Sequence, residues 1–102
     1  MNMNIQNLMR EAQKMQKELQ KTQQDLENTD YDGISSMVKI VLNGNKEMKS
    51  ISIDKSVEIS SEDDIEMLED MIIVAFNDAS KKVDSDKEKK LGKYGNGLSG
   101  LM

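Results

Sequence analysis

Four cations stand out by their spacing. Arg10, Lys14, Lys17 and Lys21 recur at steps of four, three and four. On a helix turning 100° per residue, such steps confine them to about 60° of arc. Neighbours in the row lie ~5–6 Å apart, a spacing that can follow a chain of phosphates and release a counterion at each contact. Gln6, Gln13, Gln20 and Gln24 border the row and can hydrogen-bond phosphate oxygens or base edges. The same pattern also describes an ordinary solvated helix face with Lys14–Glu18 and Lys21–Asp25 pairs, and spacing alone favours that description. A second cluster, Lys81, Lys82, Lys87, Lys89, Lys90 and Lys93, has two readings as well. Cations complement the negative end of a helix, or they extend a surface for a polyanion.

Other chemistry is excluded by what is missing. The 102 residues contain no His, Cys, Pro or Trp. A disulfide framework, a zinc ribbon, a thiol nucleophile and an imidazole base are therefore all absent. Asp63, Asp64, Glu66 and Asp70 could be imagined around a metal. They lack the Asp-x-Asp-x-Asp-Gly loop of calcium sites and read instead as acids complementing a helix N-terminus. There is no nucleophile–base pair, phosphate-cradling glycine loop or acid dyad, so the expectation is no enzyme, no cofactor, no metal and no small-molecule substrate. Tyr31, Phe76 and Tyr94 are too few aromatics for stacking single-stranded bases. No apolar run approaches the ~18–20 residues of a membrane span, and the opening MNMNIQNLMREAQ lacks a signal-peptide pattern. A soluble, intracellular protein with no membrane partner is expected. Met9, Met15, Met67 and Met71 read as packing residues that fill irregular gaps.

These side chains need elements to position them. Ile5, Leu8, Ala12, Met15, Leu19 and Leu26 follow a heptad rhythm, with Thr22 in the remaining slot. This is the narrow seam of a coiled coil, almost opposite the cationic row. The predicted helix, residues 4–27, is about 36 Å long and too thinly apolar to stand without a partner helix. From Met37 the period becomes two, with Val38, Ile40 and Leu42 on one face and Met37, Lys39 and Val41 on the other. Asn43-Gly44 offers the positive φ of a tight turn, with Asn45 able to lengthen it. A return strand over 47–54 carries Ile51 and Ile53 on one side. A lone hairpin is marginal, so either 28–33 adds a third strand or a second chain completes the sheet. Ser60-Ser61-Glu62-Asp63-Asp64 then opens a second helix. Its predicted buried stripe is Ile65, Leu68, Ile72, Ala75, Phe76, Ala79 and Val83, widened by Met71, Ile73 and Val74, and Gly92 is expected to stop it. The layout is an α+β fold in one domain over 1–102: helix 1–27, short antiparallel sheet 28–54, helix or helix pair 60–91, flexible tail 92–102.

A net charge of −5 first argues against nucleic acid. Its distribution changes that. Eight acids and no base lie between Ser56 and Asp78, whereas Met1–Lys55 is neutral and Ala79–Met102 is +3. Within the first helix, Met1–Lys21 is +2. Net acidity then predicts weak steering and modest, salt-sensitive affinity for a polyanion.

Four stretches together resemble the YbaB/EbfC family of bacterial nucleoid-associated proteins. They are NLMREAQKMQ (7–16), VKIVLNG (38–44), ISID (51–54) and DIEMLEDMIIVAFNDASKK (64–82), the last with the most specific pattern, LED…A-x-N-[DE]-A. The short Gly-rich C-terminus is also similar, whereas the MNMNIQ leader and residues 28–36 depart from the family pattern. The resemblance implies an α–β–β–β–α(α) subunit, a tweezer-like homodimer, and binding of double-stranded DNA with low or variable sequence preference in the cytoplasm at the nucleoid. It implies DNA contacts on the first helix and the C-terminal helical region, which here hold Arg10, Lys14, Lys17 and Lys21, then Lys81, Lys82, Lys89 and Lys90. Ile5, Leu8, Ala12, Met15, Leu19, Val38, Ile40, Ile51, Ile53, Leu68, Ile72 and Phe76 are the expected core or dimer residues. The competing expectation is a protein-interaction or structural dimer docking through the first seam and the acidic second helix.

Overall fold

The computed structural model describes residues 4–94. Helix α1 (Ile5–Glu27) opens at Asn4, whose side chain accepts from the Asn7 amide at 3.3 Å. It closes at Asn28, beyond which the Thr29 hydroxyl donates to the Asp25 carbonyl at 2.6 Å. Three antiparallel strands follow in the order β1 (Tyr31–Ser35), β2 (Val38–Leu42), β3 (Met48–Ile53). The third strand thus comes from within the chain. It begins at Tyr31 and not at Asn28, because residues 28–30 are spent turning out of α1.

Turn chemistry differs from the sequence expectation. The left-handed residues are Ser36, at φ 50°, and Lys46, at φ 61°. Gly44 is not in that region. The Asn43 side chain shapes the β2–β3 loop, accepting from the amides of Asn45 at 2.8 Å and Glu47 at 3.0 Å. Gly44 is required for closeness instead: a Cβ there would lie 2.2 Å from the Leu26 carbonyl oxygen.

Helix α2 (Glu62–Leu91) is capped by Ser61, which accepts from the Asp64 amide at 3.3 Å. It runs unbroken through Ser80. Gly92 does not stop it in a left-handed conformation; it leads into a single 3-10 turn, Gly92–Tyr94. The segment expected to be a flexible tail therefore begins with this 3-10 turn, and its remainder, 95–102, lies outside the described residues.

The core is small: Leu26, Tyr31, Val38, Ile40, Leu42, Ala75, Ala79, Val83 and Leu91. Helix α2 lies across β1 and β2, with Ala75 and Ala79 against Gly33. Backbone approaches backbone so closely that a Cβ on Gly33 would sit 1.9 Å from the Ala75 carbonyl oxygen. Strand β3 is left uncovered. Ile51 and Ile53 pair with Ile40 and Val38 and share their face, yet they are exposed because no helix lies above them. On α2 the stripe holds where the sheet lies beneath it. Leu68, Met71, Ile72 and Phe76 are half-buried, whereas Ile65, Ile73 and Val74 are exposed, contrary to the predicted stripe.

The first helix is an arm. Every residue from Asn4 to Glu18 is exposed, and only Leu19 and Leu26 reach the core. The molecule measures 78 × 20 × 14 Å. Helices of ~35 and ~45 Å nearly account for that length end to end. Gln23 and Leu26 of α1 share a groove with Lys87 of α2, so the arm leaves from the C-terminal end of α2.

Candidate functional site

The cationic row lies along this arm. Arg10, Lys14, Lys17 and Lys21 are all exposed. Among the described residues none of them is ion-paired, and neither Lys14–Glu18 nor Lys21–Asp25 forms. The row is thus four uncommitted charges on a rod with solvent around it. Its base meets the second cluster, since Gln23 and Lys87 line one groove.

That second cluster divides by function. Lys82 clamps the sheet: its Nζ donates to the Asp32 carbonyl at 2.6 Å and pairs with Asp78 at 3.4 Å. Asp78 in turn accepts from the Ile34 amide at 3.0 Å, and that bond, aided by Lys82, holds its carboxyl below the usual range. Together Asp78 and Lys82 occupy the Ile34 amide and the Asp32 carbonyl on the outer edge of β1, which hinders another strand from pairing there. Among the described residues nothing caps the outer edge of β3 in this way.

Lys90 is committed too, pairing at 3.0 Å with Asp86. Asp86 accepts from the Tyr31 hydroxyl at 2.5 Å, and this bond, with Lys90, depresses its pKa. Burial, then the Asp86 contact, pushes the Tyr31 hydroxyl up to about 12. Lys81 and Lys89 are exposed and carry no ion pair among the described residues. The acids at the start of α2 complement its positive end; the Asp64 carboxylate accepts from the amide and the hydroxyl of Ser60, each at 3.0 Å, which lowers its pKa. Among the described residues no three acids converge as metal ligands, and no helix is long and apolar enough to cross a membrane.

The expected packing residues fall into two groups. Val38 and Ile40 are buried, and Leu19, Leu68, Ile72 and Phe76 are half-buried against the core. Ile5, Leu8, Ala12, Met15, Ile51 and Ile53 are exposed; Ile5 keeps 67% of its surface in water. Among the described residues the seam has no partner as far as Met15. Asp78, Asp86 and the Gly44–Leu26 contact escaped the sequence reading, because long-range pairing of carboxylates with strand edges leaves no periodic signal. Gly33 had a legible one: a lone glycine beside a strand marks close backbone approach.

With this geometry in hand, known proteins place the chain. A sequence model of the YbaB/EbfC DNA-binding family matches residues 1–98. A nucleoid-associated protein of Rhodospirillum centenum is 44% identical over 97 residues, 93% of this chain and 89% of that one. One from Xylella fastidiosa is 43% identical over 101 residues, 97% of this chain and 92% of that one. The crystal structure of an uncharacterized Helicobacter pylori protein superposes with a TM-score of 0.68 at 25% identity, covering 85% of this chain and 91% of that one.

Proposed function

The chain belongs to the YbaB/EbfC DNA-binding family, which is not a family of enzymes, and from that premise we propose that it grips double-stranded DNA with the exposed face of α1. Arg10, Lys14, Lys17 and Lys21 contact phosphates, and Lys81 and Lys89 extend the surface at the arm's base. Lys82 and Lys90 add to the local potential while held by their internal partners. Contacts of this kind fix position on the duplex without reading its bases, so sequence preference is low. The protein acts at the nucleoid in the bacterial cytoplasm.

The working form is a homodimer. The arm seam leaves Leu8 and Met15 in water and the β3 face leaves Ile51 and Ile53 in water, two apolar surfaces that a second chain would cover. With the β1 edge hindered by Asp78 and Lys82, a second copy adds at the β3 side. Two arms then project from one body.

The observation that carries the DNA reading is the row of four unpaired cations on a fully exposed arm. Its test is gel-shift affinity against salt. Binding whose logarithm falls steeply with log salt, and which is lost when Lys14, Lys17 and Lys21 all become Glu, supports the arm as the contact. Affinity unchanged by those substitutions rules it out. No DNA retention even at low salt, with a protein recovered in pull-downs, favours the interaction dimer instead.

A further inference from the structure

Asn43-Gly44 lies in the loop between β2 and β3, directly under the last turn of α1. We propose that Asn43 is a spontaneous modification site, converting through a succinimide to aspartate or isoaspartate, and that docking of the α1 arm holds this conversion back. In the reaction the Gly44 backbone nitrogen gives its proton to solvent and attacks Asn43 Cγ. A C–N bond closes the five-membered imide, the Cγ–Nδ2 bond breaks, and Nδ2 takes a proton from solvent and leaves as ammonia. Water then adds to either imide carbonyl and opens the ring to aspartate or isoaspartate. Glycine is the residue that hinders the attacking nitrogen least, having no Cβ.

The folded geometry opposes each step. Gly44 is buried, and its N–H donates to the Leu26 carbonyl at 3.0 Å. Removing that proton would set an amide anion against a carbonyl lone pair. The imide has no N–H at this position, so its formation must break the bond to the arm. The carboxamide is held as well: Oδ1 accepts from the amides of Asn45 and Glu47, and Nδ2 donates to Glu47 Oε1 at 3.0 Å. Rotation of Cγ toward Gly44 breaks this set. Ring closure therefore belongs to a locally opened state in which the last turn of α1 has lifted from the loop. The product places a carboxylate beside Glu47 where a donor stood, so each conversion leaves the loop and the arm less firmly joined.

The test follows the intact chain by peptide mapping for isoaspartate at position 43, folded in mildly alkaline buffer and unfolded in urea. Asn96-Gly97 repeats the dipeptide, so the two peptides are scored separately. The folded chain is expected to react at Asn43 more slowly by about tenfold at least, with the Gly44 amide protected from hydrogen exchange by a factor of the same order, since both sample one opening. Leu26→Ala, which loosens the arm, and Glu47→Ala, which frees the carboxamide at an exposed position, each raise the folded rate toward the urea rate. Equal folded and unfolded rates overturn the proposal. So does a freely exchanging Gly44 amide, or a folded rate that neither substitution changes.

Discussion

The Gly44 amide and the Leu26 carbonyl meet at 3.0 Å, and around this bond the arm joins the body. Leu26 is 2% exposed, the only wholly buried residue of α1, so its side chain and this backbone contact, with Leu19 packed beside the core, set the arm's direction. Gly44→Ala forces a methyl to within 2.2 Å of the Leu26 oxygen, a backbone atom that cannot step aside. The expected cost is about 2 kcal/mol or more, read as a lower urea midpoint, with weaker DNA binding from a misdirected arm.

Gly33 is less forgiving. A methyl there meets the Ala75 carbonyl and the Ala79 amide together. Gly33→Ala is expected to separate α2 from the sheet and abolish the cooperative thermal transition seen by circular dichroism, whereas Ser35→Ala on the same strand leaves it intact.

Two kinds of lysine should behave oppositely. Reversing Lys14, Lys17 and Lys21 on the exposed arm changes stability by no more than about 0.5 kcal/mol while removing DNA affinity. Lys82→Gln loses its hold on Asp32 and Asp78 and is expected to lower stability by about 1 kcal/mol, with the salt slope of DNA binding changed by about one at most. Urea melts beside salt titrations separate the two classes.

Ile51→Lys and Ile53→Lys place charge on the uncovered β3 face. Both residues are partly solvated within the chain, so its own fold tolerates the change. Light scattering is expected to move from twice the 11.5 kDa chain mass to a single chain mass. A mass that stays doubled in both variants places the dimer contact elsewhere.

Stability against pH has two shoulders. Asp78 and Asp86 have folded pKa values below their usual 3.8, so their contribution is present above that pH and fades as pH falls through the folded values. Tyr31 is raised from 10.0 to about 12, so its contribution is present below pH 10 and fades as pH rises toward 12. Denaturation midpoints measured across pH should be flat between these limits. Tyr31→Phe is expected to remove the alkaline fall, and Asp78→Asn with Asp86→Asn to reduce the acid one, leaving the share of Asp54 and Asp64.

Periodicity was enough for the cationic row, the heptad seam, the facing of Val38, Ile40 and Leu42, and the Ser-capped second helix, because each is a local pattern written at fixed intervals. It failed at Ile65, Ile73 and Val74. An apolar residue on a helix is buried only if another element lies opposite: Ile73 and Val74 stand between Ile72 and Ala75, which meet the core, but turn to the other side of α2, and among the described residues nothing covers Ile65. It also misread Gly44, whose role depends on the carbonyl of a residue eighteen positions earlier.

By itself, then, the sequence determined the element types, the α+β class and the partition of charge into a cationic arm and an acidic block, since these depend on residues within one or two turns of each other. Only the tertiary structure decided how deeply the α2 lysines are committed. Lys82 and Lys90 each follow an aspartate by four residues, Asp78 and Asp86, a local pairing that Lys81 and Lys89 lack. Packing α2 on β1 then ties Lys82 to the Asp32 carbonyl, Asp78 to the Ile34 amide and Asp86 to the Tyr31 hydroxyl, and no local rule specifies those contacts.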